Sequence, residues 1–237
     1  MLVVAACAGV AAGALLQAAT GFGFSLVAAP LLFAAIGPEP AVVALLLLGL
    51  EVNVLTLATE HRRPRPLVPA TAAMLAYAVP GALLGVVILR SLPAGALQVA
   101  VSLGVAGTLA ARHVRRAHIP AWAAGFAAGA LTTSTSINGP PILLHLLGRG
   151  VPASVVRDTL TACFIGLTAI GGAALFATGD PELPDASLIV ALIPAIAVAH
   201  LVGRRLFGRL SASGVYEPVL TGVLILSVAA GLTGALL

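Results

Sequence analysis

Eight apolar stretches, most of them about the length of a membrane-crossing helix, occupy nearly all of this 237-residue chain. They run at roughly 2–36, 41–60, 67–89, 94–111, 119–147, 152–178, 186–203 and 213–237, separated by Arg, Pro and Gly. A spanning helix needs about 20 apolar residues at a rise of about 1.5 Å each. Only helices and closed barrels satisfy their backbones in lipid, and runs that are continuous rather than alternating exclude the barrel. The expected fold class is an all-α polytopic membrane protein of about eight membrane segments. Composition agrees, with 60% hydrophobic and 8% charged residues, against roughly 25% charged in an ordinary soluble domain. A disordered chain, a soluble cytosolic enzyme and a secreted disulfide scaffold are all excluded.

The few charges orient the chain. All twelve basic residues are arginine, and the net charge is +4. They do not form a nucleic-acid surface, because they sit in short clusters between apolar runs with no aromatic platform beside them. Clusters of this kind mark cytoplasmic loops. Arg62, Arg63 and Arg65 share one connection, and Arg112, Arg115 and Arg116 another. Arg149 and Arg157 flank a third, while Arg204, Arg205 and Arg209 make a fourth. Placing these inside leaves only Arg90 outside, with Glu39, Asp180, Glu182 and Asp185.

On that assignment 119–147 has both ends inside and 2–36 both ends outside. Each must therefore go in and come back, as a re-entrant hairpin or as two short crossings. Both carry an interruption: Thr20-Gly21-Phe22-Gly23 in the first, Ser134 to Pro141 in the second. Both termini are expected to be extracytoplasmic, in a multi-pass protein of the cell (inner) membrane. No basic residue precedes Arg62, so the first segment lacks the basic region of a signal peptide and is expected to belong to the fold. Cys7 and Cys163 lie inside apolar runs and are expected to pack, with no metal and no cofactor.

A repeat is visible in the letters. Ala8 to Leu15 matches Ala124 to Leu131 at seven of eight positions, and the same offset of 116 pairs Gly23 with Gly139. Two repeats follow: 1–117, with hairpin 2–36 and spans 41–60, 67–89 and 94–111; and 118–237, with hairpin 119–147 and spans 152–178, 186–203 and 213–237. Three spans is an odd number, so the second repeat is inserted upside-down relative to the first. Inverted repeats of this kind hold their substrate near the midplane, between discontinuous helices.

The stretch Gly13-Ala-Leu-Leu-Gln17-Ala-Ala-Thr20-Gly21-Phe22-Gly23-Phe-Ser25, leading to Pro30-Leu31-Leu32, resembles the first signature of the sulfite exporter TauE/SafE family of membrane permeases. Gly129 to Pro141, with Asn138-Gly139-Pro140-Pro141 at its end, resembles the second, although Thr and Ser stand where glycines are common. The resemblance spans essentially the whole chain. It implies export or exchange of a small anion such as sulfite, a sulfonate, or a related organosulfur or carboxylate metabolite. The partners are then that anion and the lipid bilayer, and a homo-oligomer is compatible with them. Rival readings are an anion channel or passive membrane subunit, and an intramembrane enzyme. No P-loop is present, and no nucleophile with a base at catalytic spacing, so no catalytic residues are assigned.

The substrate-binding candidates lie at the two interruptions. Gly21 and Gly23 admit backbone conformations closed to other residues. Asn138 and Gly139 precede Pro140, which suits the first turn of a new helix. The half-helix after the first break offers unpaired N–H groups and a positive dipole end to an anion, and residues 140–147 are expected to start a second half-helix aimed at the same place. Gln17, Thr20, Ser25, Thr133, Ser134, Ser136 and Asn138 could add side-chain donors; alternatively, the hydroxyls bond back to their own helices. Glu51 is an acidic residue near the centre of a span, with Asn53 close by, and His145 and His200 are flanked by apolar residues. These four are candidates for coupling proton movement to transport, against structural hydrogen bonding.

Overall fold

The computed structural model describes residues 2–60, 62–93, 95–96, 99, 119–147, 150–212, 218–219 and 221–222. Among them are eight helices and no strand: α1 (Leu2–Thr20), α2 (Phe24–Ile36), α3 (Pro38–Thr59), α4 (Val68–Ser91), α5 (Ala121–Ser134), α6 (Gly139–Leu146), α7 (Ala153–Ala177) and α8 (Ala186–Ala212). The expected spans 94–111 and 213–237 fall almost wholly outside the described residues, as do Arg112, Arg115, Arg116 and Arg149. Helices α3, α4, α7 and α8 are long and apolar enough to cross a membrane. The protein is an all-α polytopic membrane protein.

Local chemistry sets the helix starts. Prolines occupy the first turn of α3, α4 and α6, where a missing N–H costs nothing. Asp185 caps α8: its Oδ1 accepts the Ser187 N–H at 2.8 Å, and its carbonyl accepts the Ile189 N–H. That bond to Ser187 holds the Asp185 carboxyl below its ordinary range. A depressed carboxyl stabilises the folded state above its unfolded pKa and loses that contribution as pH falls through the folded one. Asp185→Ala is therefore expected to speed exchange of the Ser187 amide at neutral pH, measured by hydrogen exchange, with the difference shrinking in acid.

Helix α8 runs past the expected end at 203, carrying Arg204, Arg205 and Arg209 within it. Charge ends an apolar run but not a helix, since Arg is a good helix former. The extension also places Phe207, 8% exposed, with its ring centre 4.0 Å from the Arg157 guanidinium.

Glycines bring α4 and α5 into backbone contact. A Cβ at Gly81 or Gly85 would meet the carbonyls of Phe126 and Ala130, and one at Gly125 or Gly129 those of Met74 and Ala78. Small residues four apart permit such approach between membrane helices. The paired positions rise together, so α4 and α5 run parallel, and α5 starts at the end of the bundle where α4 starts. Helices α3 and α7 run antiparallel. Glu60 meets Arg157 at one end (2.9 Å); at the other, Arg90 bridges Glu39 (3.0 Å) and the Thr178 carbonyl (2.8 Å).

Both interrupted segments fold back on themselves. Gly13 packs on Phe24 and Gly9 on Leu31, so α1 and α2 form a hairpin. In the second, His145 Nδ1 lies 2.7 Å from the Ile119 carbonyl, returning the end of α6 to the start of α5. At about 1.5 Å per residue, α6 extends only about 12 Å, well short of a hydrocarbon core of about 30 Å. Helix α6 is thus too short to cross on its own.

Candidate functional site

The first break closes around glycine and an amide. Gly21 (φ +92°) and Gly23 (φ +108°) are both left-handed. The Gly21 N–H ends α1 on the Gln17 carbonyl at 2.7 Å. The Gln17 side chain then reaches across the break, where its Oε1 accepts the Phe24 N–H at 3.2 Å and so caps α2. Its Nε2 donates to Asn53 Oδ1 at 3.1 Å, and Asn53 Nδ2 donates to the Gly49 carbonyl at 2.8 Å. This amide chain fixes which way Gln17 faces.

In the second break, Ser136 adopts φ +60°, and Asn138 Nδ2 donates to Thr132 Oγ1 at 3.1 Å. Gly139-Pro140-Pro141 then opens α6. The two breaks meet. Ser25 Oγ and Ser136 Oγ are 3.4 Å apart. Phe22 is fully buried against the second hairpin and touches Gly139, whereas Ile137 packs against apolar clusters on both sides.

Two adjoining cavities lie at this junction, with empty volumes of about 220 and 280 Å³ counting their open mouths. Gln17, Ser25, Ser136 and Asn138 line both; Gly23, Gly139 and Pro140 line the first, and Asn53 the second. Phe22, Phe24, Phe164, Leu45 and Leu46 supply apolar wall, and Thr168 a further hydroxyl. The α3 residues here, Leu45 to Asn53, occupy the middle of that helix, and Phe164 and Thr168 occupy the middle of α7. The first turns of α2 and α6 both border the space, so two positive dipole ends converge on it. Among the described residues, no ionisable side chain lines either cavity.

Other candidates fall elsewhere. Thr20 Oγ1 lies within its own turn, 2.8 Å from the carbonyls of both Leu16 and Phe22, to which its one proton can be given. Thr133 Oγ1 ties α5 to α4 through the Ala82 carbonyl at 2.7 Å, and Ser134 bonds back to Ala130 at 2.7 Å. For these three the hydroxyl serves the backbone. Gly21 shapes the turn without lining a cavity. Glu51 lies outside both cavities, near the side of α3 that bears the half-exposed Leu47 and Val54. His200 is fully buried, with Nε2 3.1 Å from Thr59 Oγ1. His145 commits its Nδ1 to the hairpin closure described above and lines neither cavity.

A second polar group sits at the end of the bundle where Glu60 follows α3. Asp158 accepts Arg62 Nη1 at 2.7 Å, Arg62 Nη2 at 2.8 Å and the Arg65 N–H at 2.6 Å. The Asp158 hydrogen bond raises the Arg62 guanidinium above its ordinary value. Glu60 holds Arg157, which is 3% exposed. Asp158 reads in the sequence as a simple boundary residue, but it joins the α3–α4 connection to α7.

Membrane-length helices packed around two returning hairpins, with broken tips sharing a polar cavity at mid-depth, define a multi-pass membrane permease. The family model described as sulfite exporter TauE/SafE matches residues 5–231, and the chain belongs to that family. No curated protein and no solved structure matches the chain.

Proposed function

We propose that this protein is a secondary transporter that exports or exchanges a small anion, of the sulfite, sulfonate or small carboxylate kind, by alternating access between two inverted repeats, 1–117 and 118–237. The contact between Ser25 and Ser136 carries the proposal, because it joins one hairpin from each half at a single cavity. The antiparallel course of α3 and α7, equivalent spans in the two repeats, supports the inversion. Two helix starts and neutral donors hold the anion without an ion pair, which keeps release fast. The end bearing Arg62 and Arg157 faces the cytoplasm of the cell membrane by the positive-inside rule, and both termini are then extracytoplasmic.

Proteoliposomes provide the test. Sulfite flux should saturate and be competed by other small anions, whereas flux growing linearly with concentration would instead indicate a channel. Ser25→Leu, which fills the cavity from a half-buried position, should lower flux at least tenfold, equivalent to about 1.4 kcal/mol, with the helical circular-dichroism signal retained. Wild-type flux in that variant would remove the cavity from the transport path.

A further inference from the structure

We infer that the cavity selects the singly charged form of its anion, so that the pH dependence of transport comes from protonation of the substrate and not of the protein. The inference rests on the transporter reading above. Its first support is the lining: Gln17, Ser25, Asn53, Ser136, Asn138 and Thr168 are all neutral, and they share the space with phenylalanines.

The stabilisation that fixed dipoles and neutral hydrogen-bond donors give an ion grows in proportion to its charge. The desolvation cost grows as the square of the charge, so a doubly charged oxyanion costs about four times as much to strip of water and gains only about twice as much in return. A buried cation would reverse that balance by offering a full ion pair. None of the described residues lining the cavity is a cation, and the donors are themselves partly committed: Gln17 to Phe24 and Asn53, Asn138 to Thr132, and one serine to the other.

The ionisable groups on the lining helices face elsewhere. Helices α1 and α2 carry none but Cys7, and α5 carries none. On α3, Glu39 pairs with Arg90, Glu60 pairs with Arg157, and Glu51 lies outside both cavities. On α6, His145 engages the Ile119 carbonyl. On α7, Asp158 holds Arg62, and Cys163 packs in the second apolar cluster. Among the described residues, therefore, no ionisable side chain lines either cavity to pass a proton to or from a bound anion.

Sulfite and methanesulfonate separate the two sources of pH dependence. Sulfite takes up a proton near neutrality to become singly charged, whereas methanesulfonate is singly charged throughout. In proteoliposomes assayed from about pH 6 to about pH 8.5, a range that also spans histidine titration, sulfite flux should fall about fivefold or more, following its singly charged fraction. The KM for total sulfite should rise with pH, and Vmax should hold. Methanesulfonate flux should stay level, sulfate should compete poorly, and Glu51→Gln should leave the sulfite profile unchanged. Parallel pH slopes for the two substrates, competition by sulfate as strong as by methanesulfonate, or a flattened profile in Glu51→Gln would each overturn the inference while leaving a transporter. If neither anion moves, the transporter reading fails and the inference goes with it.

Discussion

Gly129→Val should leave little folded protein. A Cβ at Gly129 lands on the Ala78 carbonyl oxygen, with Ala78 Cα only 2.7 Å away. Both are backbone atoms of a helix and cannot turn aside as a side chain could. The neighbouring contacts at Gly81, Gly85 and Gly125 are equally close, so α4 and α5 cannot slide apart at one point and stay in register at the others. Thr133 would also move off its 2.7 Å bond to Ala82. Overpacking of a well-packed core costs about 1–3 kcal/mol, and a clash with backbone belongs at or above the top of that range. The loss should appear as a lower melting temperature in detergent, or as no recoverable protein. Gly172 on α7 is the control, having no atom within 4 Å of a Cβ placed there. Gly172→Ala should be neutral or add up to about 1 kcal/mol through helix propensity. Equal melting of Gly129→Val and wild type would show that the α4–α5 contact is looser than the geometry described here.

The breaks were legible because their cause is local. Gly-Phe-Gly stops one helix, and Asn-Gly-Pro-Pro starts another, whatever surrounds them. The return of each hairpin was legible from charge, since the side on which a loop lies is a property of its arginines. What escaped depends on helix phase and on the third dimension. Ser25 and Ser136 line the cavities, whereas Thr20, Thr133 and Ser134 bond to backbone. All five are hydroxyls within a few residues of a break: Thr20, Thr133 and Ser134 sit in the last turn before it, where a carbonyl is in reach, whereas Ser136 lies in the break and Ser25 in the helix after it. Glu51 and Asn53 look like a pair in the sequence, yet two residues are about 200° of helical rotation. Asn53 therefore turns to Gln17, and Glu51 lies outside the cavities. Phe164 and Thr168 come from a helix that nothing in the sequence aims at Gln17; a Thr in an apolar run was their only trace. Helix α8 outruns its apolar stretch because arginine ends the hydropathy but not the helix, and the continuing turns carry Phe207 to Arg157.

Glu60→Ala should be a costly truncation, on the order of 3 kcal/mol. The Glu60 carboxylate takes Arg157 Nη1 at 2.9 Å and Arg62 Nε at 3.5 Å. The Arg157 side chain is only 3% exposed, closed over by Phe207. Without Glu60, the buried guanidinium loses its 2.9 Å contact to a carboxylate. Removing one partner of a buried pair is worth about 3–5 kcal/mol, whereas replacing both with apolar residues is often close to neutral. Glu60→Leu combined with Arg157→Leu should therefore recover most of the loss, and the double-mutant cycle should show strong coupling. Arg90 and Glu39, at the opposite end, are the comparison, with side chains 31% and 20% exposed. Water screens that pair, so Arg90→Ala should cost about 1 kcal/mol or less. Chemical denaturation of Glu60→Ala, the double variant and Arg90→Ala in detergent compares the three on one scale. The ordering matters more than any single value: burial predicts a costly single, a mild double and a mild Arg90→Ala. A double variant as unstable as Glu60→Ala would mean that Arg157 contributes through its packing on Phe207, not through its charge.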